Sequence, residues 1–160
     1  MIDEPQNDPA REILILEKIE DDPDVSQASL AALLGVAVGT VNWHLRRLIE
    51  KGYVKVKHAQ RRKLRYIITP EGIAFRARLT INYIEQSMRL YRRVRQRTAE
   101  LLSEVQKAGY RSVRIQGNDD IADICRLTCL EHGITLEEDA SLPVLEVVGT
   151  KVNLKMDGKL

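Results

Sequence analysis

Apolar residues recur at helical spacing over the first fifty residues of the chain. Ile13, Leu16 and Ile19 form one apolar face, which predicts a first helix over residues 9–21. Ser26 is a good N-cap for a second helix, and Gly35 can adopt the left-handed conformation that closes it. The order of elements so far is therefore helix, helix and a glycine turn.

A third helix is predicted from Val38 to about Gly52, and two strands follow it. Its inward stripe is Val41, Leu45, Leu48 and Ile49. Residues 53–57 and 64–68 then alternate between apolar and polar side chains, as strands do. The connection between them, residues 58–63, contains no glycine, which indicates a loose tip. The pattern predicts a helix-turn-helix followed by a two-stranded wing.

A long helix is predicted from Pro70 to Lys107, after Thr69 as its cap. An apolar track resembling the a and d positions of a coiled coil runs along it, interrupted by Arg95. A partner helix from a second subunit would bury this track, and the alternative is packing against the C-terminal segment of the same chain. The track, which we predict to mediate dimerisation, is Ile81, Ile84, Met88, Tyr91, Thr98, Leu102 and Val105.

The pattern changes again after residue 109. Strands are predicted over residues 112–116, 133–136, 144–148 and 152–155, with a helix over residues 119–132. The fold class is thus mainly α with a β-wing, followed by a long dimerisation helix and a small α/β C-terminal unit. We predict domain bounds at residues 9–70, 71–108 and 109–160.

Charge is strongly segregated, although the net charge is only +2. Residues 1–24 carry nine acidic and two basic residues, whereas residues 42–65 carry nine basic residues and one acidic residue. A basic block at a wing indicates a polyanion-binding surface. No apolar run is long enough to span a membrane, and the acidic N-terminus lacks a signal pattern, so we expect a cytoplasmic protein that does not bind a membrane.

Duplex DNA requires cations along its phosphates and polar side chains on an element that enters the major groove. On the third helix, Asn42 suits adenine, Arg46 suits guanine, and Trp43 could contact a thymine methyl group or instead pack under the wing. Helix starts provide further donors for phosphate. The predicted DNA-binding residues are Ser26, Gln27, Ser29, Thr40, Asn42, Trp43, Arg46, Arg47, Lys55, Lys57, Arg61, Arg62, Lys63 and Arg65.

Residues 25–57, together with residues 66–72, resemble the winged helix-turn-helix transcriptional regulators of bacteria and archaea, of the MarR-like type. The resemblance covers residues 10–107 and implies a dimer whose second motif helix reads the major groove. It assigns Asn42, Trp43 and Arg46 as readers, and Arg61 and Arg62 as wing contacts. The chain departs from such motifs where they often carry a Ser or Thr cap, because Ala37 stands there.

Residues 113–123 also resemble the strand, glycine turn and helix of a degenerate Rossmann-like half domain. Asp119 stands where the second glycine of that turn would approach a pyrophosphate, so we expect no dinucleotide and no other cofactor. Cys125, Cys129 and His132 share one side of the predicted helix and could hold a metal or sense oxidation. The alternative, which we favour, is that both cysteines are small buried residues and that no metal binds.

Three classes of function remain. The first, which we favour, is a homodimeric, sequence-specific transcriptional regulator that binds double-stranded DNA, with its effector unknown. The second is a winged-helix module that docks on another protein and does not bind DNA. The third is an enzyme of the C-terminal unit, which we do not expect because the sequence shows no nucleophile–base pair, paired carboxylates or intact phosphate loop.

Overall fold

The computed structural model describes residues 7–58 and 63–156. The chain divides into two compact units, with the boundary between Glu85 and Gln86. This boundary lies inside the longest helix, so each unit contains a part of that helix.

The first unit contains three helices and a two-stranded wing. The helices are α1 (Pro9–Asp21), α2 (Gln27–Leu34) and α3 (Val38–Glu50). The strands β1 (Val54–His58) and β2 (Leu64–Ile68) form an antiparallel ladder. The order and type of these elements confirm the predicted winged helix-turn-helix.

Capping residues account for the helix ends of this unit. The Asp8 carboxylate accepts a hydrogen bond from the backbone N–H of Ala10 at 3.0 Å, and Ser26 Oγ accepts one from Ser29 N–H at 3.0 Å. Gly35 closes α2 with a φ of 63°, which an L side chain would disfavour. Ala37 starts α3 without a side-chain cap, as its residue type predicts.

One apolar cluster holds the first unit together. It combines the inward faces of α1, α2 and α3 with the inner face of the wing. Its members are Ile15, Leu16, Ile19, Leu30, Ala31, Val41, Leu45, Leu48, Val54 and Tyr66. The apolar faces of the helices and strands pack together in this cluster. The opposite face of α3 is therefore left exposed to solvent.

Helix α4 (Pro70–Lys107) starts where the wing ends, at the predicted residue. Thr69 Oγ1 accepts a hydrogen bond from Gly72 N–H at 3.0 Å and donates one to the Gly52 carbonyl at 2.7 Å. Gly72 is buried against the Tyr53 carbonyl, where a side chain would overlap with backbone. This junction attaches the turn after α3 to the start of α4.

The second unit is a two-layer α/β structure. Its elements after α4 are β3 (Ser112–Gln116), α5 (Asp120–Glu131), β4 (Thr135–Leu136), β5 (Val144–Val148) and β6 (Lys151–Lys155). The strand order is β4-β3-β5-β6, with β3 parallel to both of its neighbours and β6 antiparallel to β5. The strands and the helix predicted for this part of the chain are thus all present.

The predicted dimerisation track requires a correction in its C-terminal half. Thr98, Leu102 and Val105 are completely buried within the second unit and are not accessible to a partner helix. Thr98 Oγ1 lies 3.4 Å from Cys125 Sγ on α5, which shows that the same chain covers this face. The alternative stated from the sequence, packing on the C-terminal segment, is correct for these three residues.

The other half of the track has a different environment. Ile81 and Ile84 are 57% and 54% exposed, and Met88 is 47% exposed. Tyr91 is half-buried. A dimer contact on α4 therefore stays a prediction for the exposed residues only.

Candidate nucleic-acid interface

Helix α3 is oriented by its buried stripe. Val41, Leu45 and Leu48 are at most 1% exposed, so the opposite face of the helix points to solvent. Arg46 is exposed on that face, and Asn42 is half-buried. These are the side chains that the sequence predicts as base readers, and both have polar atoms suited to base edges.

Trp43 and Arg47 interact with each other on α3. The Arg47 guanidinium lies over the Trp43 ring at 5.5 Å from its centroid, which is a cation–π arrangement. Trp43 is half-buried and meets the His44 ring edge-on at 4.9 Å. Arg47 is thus held against an aromatic surface and is half-buried.

The polar residues at the start of α2 already have partners within the chain. Ser26 Oγ lies 2.8 Å from Ser29 Oγ in addition to its capping bond. Gln27 Nε2 donates to the hydroxyl of Tyr66 at 3.1 Å, which joins α2 to β2. Thr40, in the first turn of α3, is half-buried. These bonds fix the start of α2 and its contact with the wing, and they still leave the exposed Ser26 and Ser29 facing solvent.

The wing carries its cations on the face that points away from the core. Lys57 lies opposite Arg65 in the antiparallel ladder. Lys55 lies two residues before Lys57 and therefore on the same face of the strand. All three are exposed, as is Lys63 at the base of the tip. Arg65 Nε lies 3.7 Å from the Asp24 carboxylate, in an exposed ion pair. The remaining predicted wing residues, Arg61 and Arg62, lie outside the described residues.

A buried polar pair joins α1 and α3, and the sequence analysis does not predict it as a pair. Glu12 of α1 and His44 of α3 are 2% and 0% exposed, with Glu12 Oε1 at 3.6 Å from His44 Nδ1. Burial lowers the pKa of His44, and the nearby Glu12 opposes this shift only in part. Both residues occupy buried-stripe positions of their helices, which is the signal that could have revealed them.

Val38 is a further candidate that the predicted site omits. It is the first residue of α3 and is 47% exposed. An apolar side chain at the N-terminal end of a recognition helix suits contact with a thymine methyl group. Its position at the start of the helix, shortly after the turn at Gly35, is the sequence feature that could have identified it.

The three candidate metal or redox residues of the second unit differ in their exposure. Cys125 and Cys129 are fully buried in its core, whereas His132 is exposed. Burial raises the pKa of both thiols, that of Cys129 to about 12, so neither favours the thiolate that metals and oxidants need. Within residues 7–58 and 63–156, no group of three or more His, Cys, Asp or Glu residues could hold a metal ion.

The turn that resembles a dinucleotide loop is also occupied by the chain itself. The Asp119 carboxylate accepts a hydrogen bond from Ala122 N–H at 2.9 Å, which caps α5. Gly117 packs closely on Val147, where an added Cβ would lie 3.0 Å from the Val147 Cβ. The glycine therefore serves the packing of the turn on β5.

The helix-turn-helix, its wing and its buried core define the first unit as a winged helix-turn-helix domain. Residues 10–55 match a family model described as winged helix-turn-helix DNA-binding. The match ends in β1 and covers all three helices of the motif. It confirms the predicted winged helix-turn-helix for this part of the chain.

Two solved structures are similar to the chain. One is the crystal structure of an S. aureus MepR–DNA complex, with 21% identity over 64% of this chain and 77% of that one and a TM-score of 0.44. The other is a MarR protein from Peptoclostridium difficile, with 21% identity over 61% and 67% of the two chains and a TM-score of 0.41. No curated protein sequence matches the chain. No single helix in the described part of the chain is long and apolar enough to cross a membrane.

Proposed function

We propose that this protein is a sequence-specific DNA-binding transcriptional regulator that acts as a homodimer. Its recognition helix α3 enters the major groove, and its basic wing lies on the phosphate backbone. The observation that supports this proposal most directly is the charge on the winged helix-turn-helix, whose cations are exposed and mostly have no acidic partner. These cations are Arg46, Lys51, Lys55, Lys57, Lys63 and Arg65, and among the residues that the structure describes only Arg65 has an acidic group within 4 Å.

Unpaired surface cations favour a polyanion because they need not break an existing ion pair to bind it. Each phosphate that they neutralise releases condensed counterions, so the affinity falls steeply as the salt concentration rises. Arg46 and Asn42 add the groups that distinguish base pairs in the major groove, at about 1–3 kcal/mol for each good bidentate contact. Wing and helix therefore have separable roles, one in affinity and one in specificity.

The wing is tested by fluorescence anisotropy on duplex DNA across a salt series. We compare Lys55→Gln/Lys57→Gln with the control Arg92→Gln/Lys107→Gln, which removes the same charge from exposed residues of the second unit. The slope of log affinity against log salt should become shallower by about 1.8 in the wing variant, at about 0.9 per lost phosphate contact. An equal change in both variants, or in neither, contradicts the assignment.

The recognition helix is tested by selecting the preferred duplex from a genomic library and then measuring Arg46→Ala and Asn42→Ala. Each variant should lose about 1–3 kcal/mol on the selected duplex and keep its affinity for random duplex. A uniform loss on both duplexes would make these residues phosphate contacts. A wild-type protein without salt-dependent affinity would instead support the alternative, a winged-helix module that docks on protein.

The homodimer is proposed from the exposed part of α4. Ile81, Ile84 and Met88 follow one another at spacings of three and four residues, so they share one helix face. At protein concentrations high enough for the wild type to dimerise, Ile84→Glu should convert the dimer into a monomer in sedimentation equilibrium, whereas Asn82→Glu, on another face of the same turn, should not. An unchanged mass for Ile84→Glu contradicts the placement of the interface on α4. A regulator of this kind works where the chromosome is, which agrees with the cytoplasmic location expected from the sequence.

A further inference from the structure

A groove of about 290 Å³ lies on the second unit between α4 and the start of β6. Arg93 and Arg97 line it from the helix, and residues 150–153 line it from the hairpin of β5 and β6. Val94 and Val152 form an apolar floor, because they are 1% and 3% exposed and belong to the core. The fold of the second unit thus holds the walls of this groove in place.

Three cations converge on the groove, and its lining contains no acidic residue. Arg93 and Arg97 are one helical turn apart, where like charges destabilise a helix. Arg97 has a partial partner in Glu100, at 3.6 Å in an exposed pair. Neither Arg93 nor Lys151 has an acidic group within 4 Å among the residues that the structure describes. An anion in the groove would relieve this repulsion.

A neighbouring arginine of α4 has a different environment. Arg95, on another side of α4, is paired with the Glu131 carboxylate at 2.8 Å. Arg93 and Lys151, which line the groove, have no such partner among the described residues. Thr150 and Asn153 add a hydroxyl and an amide to its lining, which can bind the polar part of a ligand.

We propose that this groove binds the phosphate group of a small phosphorylated molecule. Guanidinium groups bind phosphate through paired hydrogen bonds, and an ammonium group adds a point charge. The volume is at the lower end of the range for small-molecule sites, which suits a phosphate with a small polar or apolar group. DNA backbone could supply the same chemical group, but a concave site with an apolar floor favours the small molecule.

Isothermal titration with inorganic pyrophosphate at physiological salt tests the site on the full-length protein without DNA. One pyrophosphate should bind per chain. Arg93→Gln/Lys151→Gln should weaken binding by about tenfold or more, since each charge-assisted hydrogen bond contributes on the order of a tenfold change in affinity. The control Arg92→Gln/Lys107→Gln should bind like the wild type, and Arg93→Lys/Lys151→Arg should retain binding because it keeps both charges.

Absence of pyrophosphate binding by the wild-type protein would overturn the proposal, as would an equal loss in the control variant. The source of the phosphate is decided by duplex affinity. If Arg93→Gln/Lys151→Gln alone lowers the affinity for duplex DNA and its salt slope, the groove is a DNA contact and the small-molecule assignment is wrong. The pyrophosphate experiment does not depend on DNA binding, so it can succeed or fail independently of the proposed function.

Discussion

Thr69 joins the turn after α3 to the start of α4, and its hydroxyl is the group that we would remove first. The residue is 5% exposed, and its Oγ1 makes hydrogen bonds with the Gly52 carbonyl at 2.7 Å and with Gly72 N–H at 3.0 Å. Its own N–H donates to the Tyr53 carbonyl at 3.1 Å. Thr69→Val keeps the shape and the backbone bond and removes both bonds of the hydroxyl.

The expected cost follows from these two bonds. Loss of an N-cap costs about 1 kcal/mol, and loss of a further hydrogen bond costs about 1 kcal/mol. Gly72 is buried, so its unpaired N–H adds a desolvation penalty of about 1 kcal/mol. Thr69→Val should therefore lower the free energy of unfolding of the first unit by about 2 to 3 kcal/mol.

Urea unfolding followed by tryptophan fluorescence measures this change, because Trp43 is the only tryptophan and lies in the first unit. Thr80→Val is the matched control. The Thr80 hydroxyl donates only to the Arg76 carbonyl one turn earlier in α4, at 2.8 Å, so its loss should cost less than about 0.5 kcal/mol. If Thr69→Val lies within about 0.5 kcal/mol of wild type, or if both variants lose equally, the capping account of this junction is wrong.

Three further predictions concern packing and titration. Gly72→Ala should destabilise the first unit by about 3 kcal/mol or more, because the added Cβ would overlap with the Tyr53 carbonyl. Gly39→Ala, which lies on a helix with open space around it, should be neutral or stabilising. The midpoints of urea unfolding measure both changes. The pKa of His44 in the folded protein is lowered below its ordinary value of about 6.5, so the unfolded state takes up the proton first as the pH falls. The free energy of unfolding should therefore be highest above about pH 6.5 and should decrease as the pH falls below that value. A flat stability profile between neutral and mildly acidic pH would contradict this. The two buried cysteines should react with a thiol reagent only on unfolding, and rapid reaction of the native protein would contradict their placement.

Local signals account for the part of the fold that could be predicted. The starts of α1 and α4 follow from Asp8 and Thr69, each followed by a proline, and both observed helices have the predicted bounds. The strand β1 is displaced by one residue, because Tyr53 N–H closes the end of α3 by donating to the Leu48 carbonyl at 2.9 Å. This hydrogen bond depends on the path that the chain takes after the helix. The alternation of apolar and polar residues does not predict that path.

Non-local contacts account for the part that could not be predicted. Ile84 and Leu102 belong to one periodic track, yet one is 54% exposed and the other is fully buried. Periodicity shows that a face must be covered and does not show which segment covers it. The same limit applies to Glu12 and His44, whose stripe positions indicate burial separately, while their proximity depends on how α1 and α3 pack.

The exposed half of the track offers only a small apolar surface to a dimer. Ile81, Ile84 and Met88 offer three side chains at about half exposure, which is well below the ~800 Å² per partner of a typical stable interface. A dimer that used this surface alone would dissociate at low concentration, and DNA would have to assemble it from monomers. Binding to a duplex with two inverted half-sites, one helical turn apart, should then be cooperative in protein concentration, whereas Ile84→Glu should bind without cooperativity. A wild-type binding curve without cooperativity, at concentrations where the free protein is monomeric, would contradict a DNA-assembled dimer on this face.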